Sequence, residues 1–280
     1  MDGQKKSMKN LSIGMFDSGV GGLTVLKEVR ELLPHENIVY LGDTARVPYG
    51  NRSPRTIVRY ALESALFLLT KGIKILVIAC NTSSALAINI LSRKMPVPVI
   101  GVIEPGAKEA VKATRKKRIG IIGTKATIKS KAYEYSIKKM DPGVEVISKA
   151  CPLFVPIVEE GLQDDDVAYI MAEKYLKEIK MSGVDTLVMG CTHYPVLEGV
   201  IKDVMGPYIH IINTGKETAK EVKNRLQIKG QLRTKGRGLC RYFVTDSPET
   251  FREIGSRFLR EELSRIRYIK SLDYKDFILS

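Results

Sequence analysis

The stretch GVDTLVMGCTHYP, Gly183 to Pro195, decides how the rest of the chain reads. Leu187, Val188 and Met189 form a short, partly β-branched apolar run closed by Gly190, the pattern of a buried parallel strand. Thr192 is a capping residue type and Pro195 suits a first helical turn, so the strand is expected to pass straight into a helix at Cys191. A thiol at that junction lies beside unpaired backbone N–H groups, which favour its thiolate. One such cysteine would mean little. A second copy, GIKILVIACNTSS, Gly72 to Ser84, sets Cys80 eight residues after its glycine, the spacing that separates Gly183 from Cys191.

Working outward, each copy closes a similar run of alternating elements. The first half predicts strands over 11–16, 38–41, 75–79 and 97–102, with helices over 23–33, 54–69 and 83–93. The segment 44–53, TARVPYGNRS, has neither period and is expected to be a loop. After Glu104–Pro105 the pattern restarts, with a helix over 106–114, strands over 118–122 and 144–147, a loop at PLFVPIVEEG and a helix over 165–181. Gly14 lies 24 residues before Ile38, and Gly120 lies 24 before Val144. This long-period repeat predicts an α/β fold of two pseudo-symmetric, doubly wound, mostly parallel sheet domains, with the active site in the cleft between them. The strand over 209–212 and a final helix, capped by Ser247 before Pro248, are expected to complete the first domain. The expected division is residues 1–103 plus 208–280, and residues 104–207.

Composition narrows the setting. With 44% hydrophobic and 27% charged residues the chain reads as an ordinary globular protein. No apolar run approaches the roughly 20 residues that span a bilayer, so no membrane partner is expected. The basic N-terminus leads into a strand-length run without a cleavage-like site, so no secretory signal is expected; Met8 offers an alternative start that would make the first seven residues dispensable. Four cysteines without metal-type spacing suggest a reducing cytoplasm, no disulfide framework and no metal site. The net charge of +14 raises nucleic acid as a partner, but the basic residues are spread among apolar ones. A solvated basic face is the better reading.

Two cysteines facing each other across a cleft can take a proton from one face of a carbon and return one to the other. Cys80 and Cys191 have the matched setting; Cys151 and Cys240 read as small buried residues. Asp17 and Ser18 end the first strand before the glycine turn GVGG, where the acid could accept from a substrate ammonium or orient a thiol. The glycines also admit a dinucleotide fingerprint with Asp43 as its acid, but the third glycine position is Thr24 and an acid precedes the turn. His193 stands two residues after Cys191, placed to tune it, with Glu159 or Glu160 as a possible carboxylate partner. Asn81, Thr82 and Thr192 are candidate caps and ligand contacts, and Tyr49 and Gly50 are candidates from the aperiodic loop.

The motifs FDSGVGGLTV, LGDTARVPYGNRS, VIACNTSSA, GIIGTKAT, CPLFVPIVEEG and VMGCTHYP, in this order, resemble the bacterial glutamate racemase family over residues 13–218. The resemblance implies cofactor-independent interconversion of L- and D-glutamate, supplying D-glutamate for peptidoglycan, by a cytoplasmic homodimer. It implies that Cys80 exchanges the α-proton with D-glutamate and Cys191 with L-glutamate. Asp17, Ser18, Tyr49, Gly50, Asn81, Thr82, Thr192 and His193 would bind substrate. Asp17 and His193 would also help deprotonate the thiols, with Glu159 as partner of His193. Asn213 and Thr214 depart from the Ser or Asp found in many members. An aspartate or other acidic-substrate racemase remains open beside glutamate, as does a nucleic-acid role for the basic surface.

Overall fold

The computed structural model describes residues 8–270 and Leu272. The first seven residues, the expected extension, lie outside the described residues.

Four strands open the chain: β1 (Ser12–Asp17), β2 (Ile38–Gly42), β3 (Ile73–Ile78) and β4 (Val99–Gly101). Four more follow: β5 (Arg118–Gly123), β6 (Glu145–Ala150), β7 (Thr186–Gly190) and β8 (His210–Asn213). β9 (Cys240–Val244) and β10 (Ile266–Tyr268) come last. Every pairing is parallel, in a six-stranded sheet β10-β9-β2-β1-β3-β4 and a four-stranded sheet β6-β5-β7-β8. The order β2-β1-β3-β4 repeats strand for strand as β6-β5-β7-β8. β1, β2, β3 and β7 are buried at every position, because helices cover both faces of the sheets.

The two glycines that mark the repeat occupy equivalent places on the central strands. Gly14 lies opposite Val39 and Leu76, and Gly120 opposite Ile147 and Leu187. A Cβ on Gly14 would lie 2.7 Å from Ile73, and one on Gly120 2.8 Å from Ile179. Close packing against an aliphatic side chain, rather than a turn, accounts for both.

Several details differ from the sequence reading. The strand near 209–212, expected with the first domain, is β8 and pairs with β7 in the second sheet, as β4 pairs with β3 in the first. The return to the six-stranded sheet therefore comes after Asn213, later than the expected boundary at residue 208. Pro105 does not mark a linker. It sits in the first turn of helix Ile103–Ala113, where a missing N–H costs little. That helix follows β4 but packs on β7 and on helix Ala132–Met140, whereas helix Thr214–Ile228 follows β8 and packs on helix Leu23–Leu32. Each half thus lends a helix to the other. The segment after Cys151, expected to be a loop, contains helix Phe154–Glu159 with Phe154, Ile157 and Val158 buried. Ser247 precedes helix Pro248–Leu259 at φ +41° and makes no side-chain cap. The third strand of the C-terminal part, β10, has no counterpart in the sequence reading. Among the described residues no helix is long and apolar enough to cross a membrane.

Candidate active site

β3 delivers Cys80 to the start of helix Asn81–Lys94, where the cysteine itself is the N-cap. Its sulfur accepts from the Ser83 N–H at 3.5 Å and lies 3.8 Å from Ser18 Oγ. Asn81 and Thr82, expected as caps, fall inside the first helical turn and are free to point elsewhere. Asn81 Oδ1 accepts from the Tyr133 hydroxyl at 2.6 Å. Thr82 Oγ1 lies 3.0 Å from Thr124 Oγ1 and 3.2 Å from Thr127 Oγ1.

Asp17 closes β1 fully buried, with Oδ2 accepting from the Gly19 N–H at 3.0 Å. Burial raises its pKa, while the positive charge of His193 and the surrounding backbone N–H groups work the other way. Burial and then the Asp17 charge push the Cys80 thiol up to about 11, against the lowering pull of Ser83 and Ser18. The Asp17 charge thus favours the protonated form of Cys80 and makes its thiolate, once formed, a stronger base.

The other thiol is built differently. β7 does not pass straight into a helix. Cys191 and Thr192 turn into a 3₁₀ segment, Tyr194–Leu197, and helix Glu198–Met205 begins beyond it. Tyr194 is the reason: it is fully buried, donates to the Cys151 carbonyl at 2.8 Å and packs edge-on against Phe154, drawing the chain inward. Thr192 therefore does not cap; its carbonyl accepts from Thr24 Oγ1 at 2.7 Å. His193 Nδ1 stands 3.9 Å from Cys191 Sγ, and its Nε2 is 2.8 Å from Glu159 Oε1. Burial disfavours the imidazolium, but Cys191 and Glu159 on either side outweigh it and hold the ring up at about 10.

Both raised values act on folding in one direction. His193 is ordinarily near 6.5 and Cys80 near 9.0, so on the alkaline side the folded chain binds more protons than the unfolded one. The His193 contribution is fully present below 6.5 and is lost as pH rises through about 10. Ionisation of Cys80 in the unfolded chain removes more stability between 9.0 and about 11. The urea midpoint should fall steadily across this range, and His193→Gln should flatten the part below pH 9. An unchanged profile in that variant would count against the Cys191–His193–Glu159 arrangement.

A single cavity of about 430 Å³ is lined by both thiols and by Ser18, Tyr49, Gly50, Asn81, Thr82, Thr192 and His193. Asp17 lies behind this wall. Tyr49 and Gly50 are carried by short 3₁₀ turns within the segment read as a loop. The Tyr49 hydroxyl donates to Asp43, which also accepts from Arg46 Nε at 2.6 Å and from Thr245 Oγ1 at 3.0 Å. Asp43 is fully buried by these donors, which removes it as a dinucleotide-binding acid. Gly21, read in the sequence as part of a dinucleotide fingerprint, makes room for two side chains. A Cβ there would lie 2.4 Å from Thr192 Oγ1 and 2.5 Å from the His193 ring.

Sequence reasoning missed Thr124 and Lys125 on the cavity wall. The repeat held the signal: β5 ends at Gly123 as β1 ends at Asp17, so Thr124 is the counterpart of Ser18. Asn213 and Thr214 are not on this wall. Asn213 Oδ1 caps helix Thr214–Ile228 through the Gly215 N–H at 2.9 Å.

Comparison with known proteins gives the family and the fold. Residues 22–222 match the Asp/Glu/Hydantoin racemase family. A glutamate racemase of Geobacter metallireducens is 51% identical, covering 91% of this chain and 95% of that protein. The crystal structure of the glutamate racemase isoform RacE1 from Bacillus anthracis superposes with a TM-score of 0.91 at 40% identity, covering 94% of this chain and 98% of the other. The Francisella tularensis glutamate racemase, solved in complex with D-glutamate, gives a TM-score of 0.89 at 37% identity over 95% and 99% of the two chains. The chain belongs to the Asp/Glu/Hydantoin racemase family.

Proposed function

We propose that this chain racemises glutamate by exchanging the α-proton between two thiols, without a cofactor. The observation that carries the reading is the pair of buried cysteines, Cys80 and Cys191, at matching strand ends of two sheets and lining one cavity. With L-glutamate bound, the Cys191 thiolate, paired with the His193 imidazolium, takes the α-proton as the Cα–H bond breaks. The electron pair left on Cα delocalises into the α-carboxylate. Cys80 then donates its proton to the opposite face, giving D-glutamate, and the two sulfurs have exchanged roles. The high pKa of Cys80 suits the donor in this direction and the base in reverse. Asp17 Oδ1 and Asn81 Nδ2 are buried polar atoms without a protein partner among the described residues. The second, on the cavity wall, fits a substrate carboxylate, while Asp17, behind the wall, adds negative charge on the side where the ammonium would sit. Ser18, Tyr49, Gly50, Thr82 and Thr192 complete the substrate contacts, helped by backbone N–H groups at the helix start.

In this reading the chain works as a cytoplasmic homodimer that supplies D-glutamate for peptidoglycan. Its two units divide near residue 103 and again after Asn213. The deciding experiment is turnover of both enantiomers of glutamate and of aspartate by purified protein in deuterium oxide, with and without added cofactors. Glutamate of inverted configuration should carry deuterium at the α-carbon, and aspartate should turn over far more slowly. Inversion with retention of the α-hydrogen, or faster turnover of aspartate, would overturn the reading. Sedimentation of the same sample reports the dimer.

A further inference from the structure

The residues that the resemblance leaves without a role are those of the C-terminal part, yet its helix Pro248–Leu259 reaches the candidate site from outside. Glu159 is the last residue of helix Phe154–Glu159, a position whose carbonyl lacks a partner within the helix. The Arg257 guanidinium donates to that carbonyl through Nη2. The chain then turns at Gly161, at φ +77°, where a Cβ would lie 3.2 Å from Arg257 Nη1. One residue on from Arg257, Phe258 is buried and meets the His193 ring edge-on, with centroids 5.9 Å apart and planes at 90°. The helix is seated closely by Gly255, where a Cβ would fall 2.4 Å from Leu263 and 2.7 Å from Leu23.

These contacts converge on one chain of atoms. Glu159 Oε1 is 2.8 Å from His193 Nε2, and His193 Nδ1 is 3.9 Å from Cys191 Sγ. The Glu159 side chain is 37% exposed, so burial alone does not fix its direction. Arg257 anchors its backbone and Phe258 restrains the imidazole that it faces. Cys80 has no such support, since its nearest polar partners are Ser18 and Ser83.

We infer that Arg257 and Phe258 are positioning residues for the Glu159–His193 pair and, through it, set the reactivity of Cys191 but not of Cys80. Neither lines the cavity that both thiols share. The inference rests on the pairing of Cys191 with His193 proposed above, but its test does not require racemisation. The full chain and its Arg257→Met, Arg257→Lys and Phe258→Leu variants are treated with iodoacetamide at neutral pH, and each cysteine is followed by peptide mass spectrometry. Alkylation consumes thiolate, so its rate reports how readily each sulfur gives up its proton.

Arg257→Met and Phe258→Leu should slow Cys191 by about three- to tenfold, the size of one lost hydrogen bond or packing contact, and leave Cys80 unchanged. Arg257→Lys, which retains a donor, should restore most of the rate. On glutamate, kcat/KM should fall by the same factor in both directions. An unchanged ratio of Cys191 to Cys80 alkylation, or equal slowing of both, would overturn the inference, because a purely structural role moves both thiols or neither. Failure of the unaltered chain to racemise glutamate would strike the proposed function alone, and the alkylation ratio would still decide this one.

Discussion

Cys80→Ser should lower racemisation of glutamate by about 10³- to 10⁴-fold, the upper part of what a positioned acid–base group contributes. The loss should be the same from either enantiomer, because the two have equal free energy and their kcat/KM values are tied at a ratio of one. Any residual α-proton exchange in deuterium oxide should be confined to one enantiomer. The substitution separates chemistry from folding with little ambiguity. Cys80 is the N-cap of helix Asn81–Lys94, and its sulfur accepts from Ser83 N–H at 3.5 Å. Serine is a preferred capping residue and its oxygen accepts more strongly than sulfur. The variant should therefore melt at or above the temperature of the unaltered chain while losing turnover. Activity within tenfold of the original would sink the two-thiol mechanism.

Gly21→Ala should cost about 100-fold in turnover, although Gly21 is not a candidate for touching substrate. Its backbone is not among those with positive φ, so alanine meets no conformational barrier there. The obstacle is space. The new methyl would lie 2.4 Å from Thr192 Oγ1 and 2.5 Å from both Cε1 and Nδ1 of His193. Something must shift, and the imidazole sits on the cavity wall while Gly21 belongs to a tight turn. Displacement of a catalytic group by about 1 Å can cost two powers of ten. Turnover with both enantiomers, beside a circular dichroism spectrum to establish folding, checks this. A variant within twofold of the original would show that His193 need not stand where it does.

How much of this was legible from the sequence depends on which residues carried the signal. Short apolar runs closed by Gly42, Gly123 and Gly190 announced parallel strands, because a strand buried on both faces has no alternation to blur. The spacing of Gly14 and Gly120 announced the repeat. Helix Phe154–Glu159 was hidden by its own composition: Pro152 and Pro156 read as breakers, yet Pro156 falls in the first turn, where its missing N–H has no partner to lose. The break after Cys191 followed from burial of Tyr194, a tertiary effect that local pattern does not contain. β8 looked like the start of the C-terminal part because nothing in His210–Asn213 says which sheet edge it joins. In the candidate site, cysteines, histidine and loop tyrosine announced themselves by residue type. Arg257 did not, and Asp43 and Gly21 stood out only for a dinucleotide fingerprint, since each acts through a contact made far along the chain or through space it leaves empty.

The sulfur that caps a helix bears on how such a protein could be engineered. The repeat invites a symmetrised chain, two copies of the first half joined so that each supplies one thiol. Such a protein would carry two sulfurs of the Cys80 kind, each buried, each facing a carboxylate and each held as a neutral thiol at physiological pH. It would have two donors and no resting base. Two copies of the second half would present two imidazole-paired sulfurs and no helix-capping thiol beside a buried carboxylate. Duplication can build the cleft, but a working pair requires that the copies diverge, and the divergence visible here is one helix cap against one histidine.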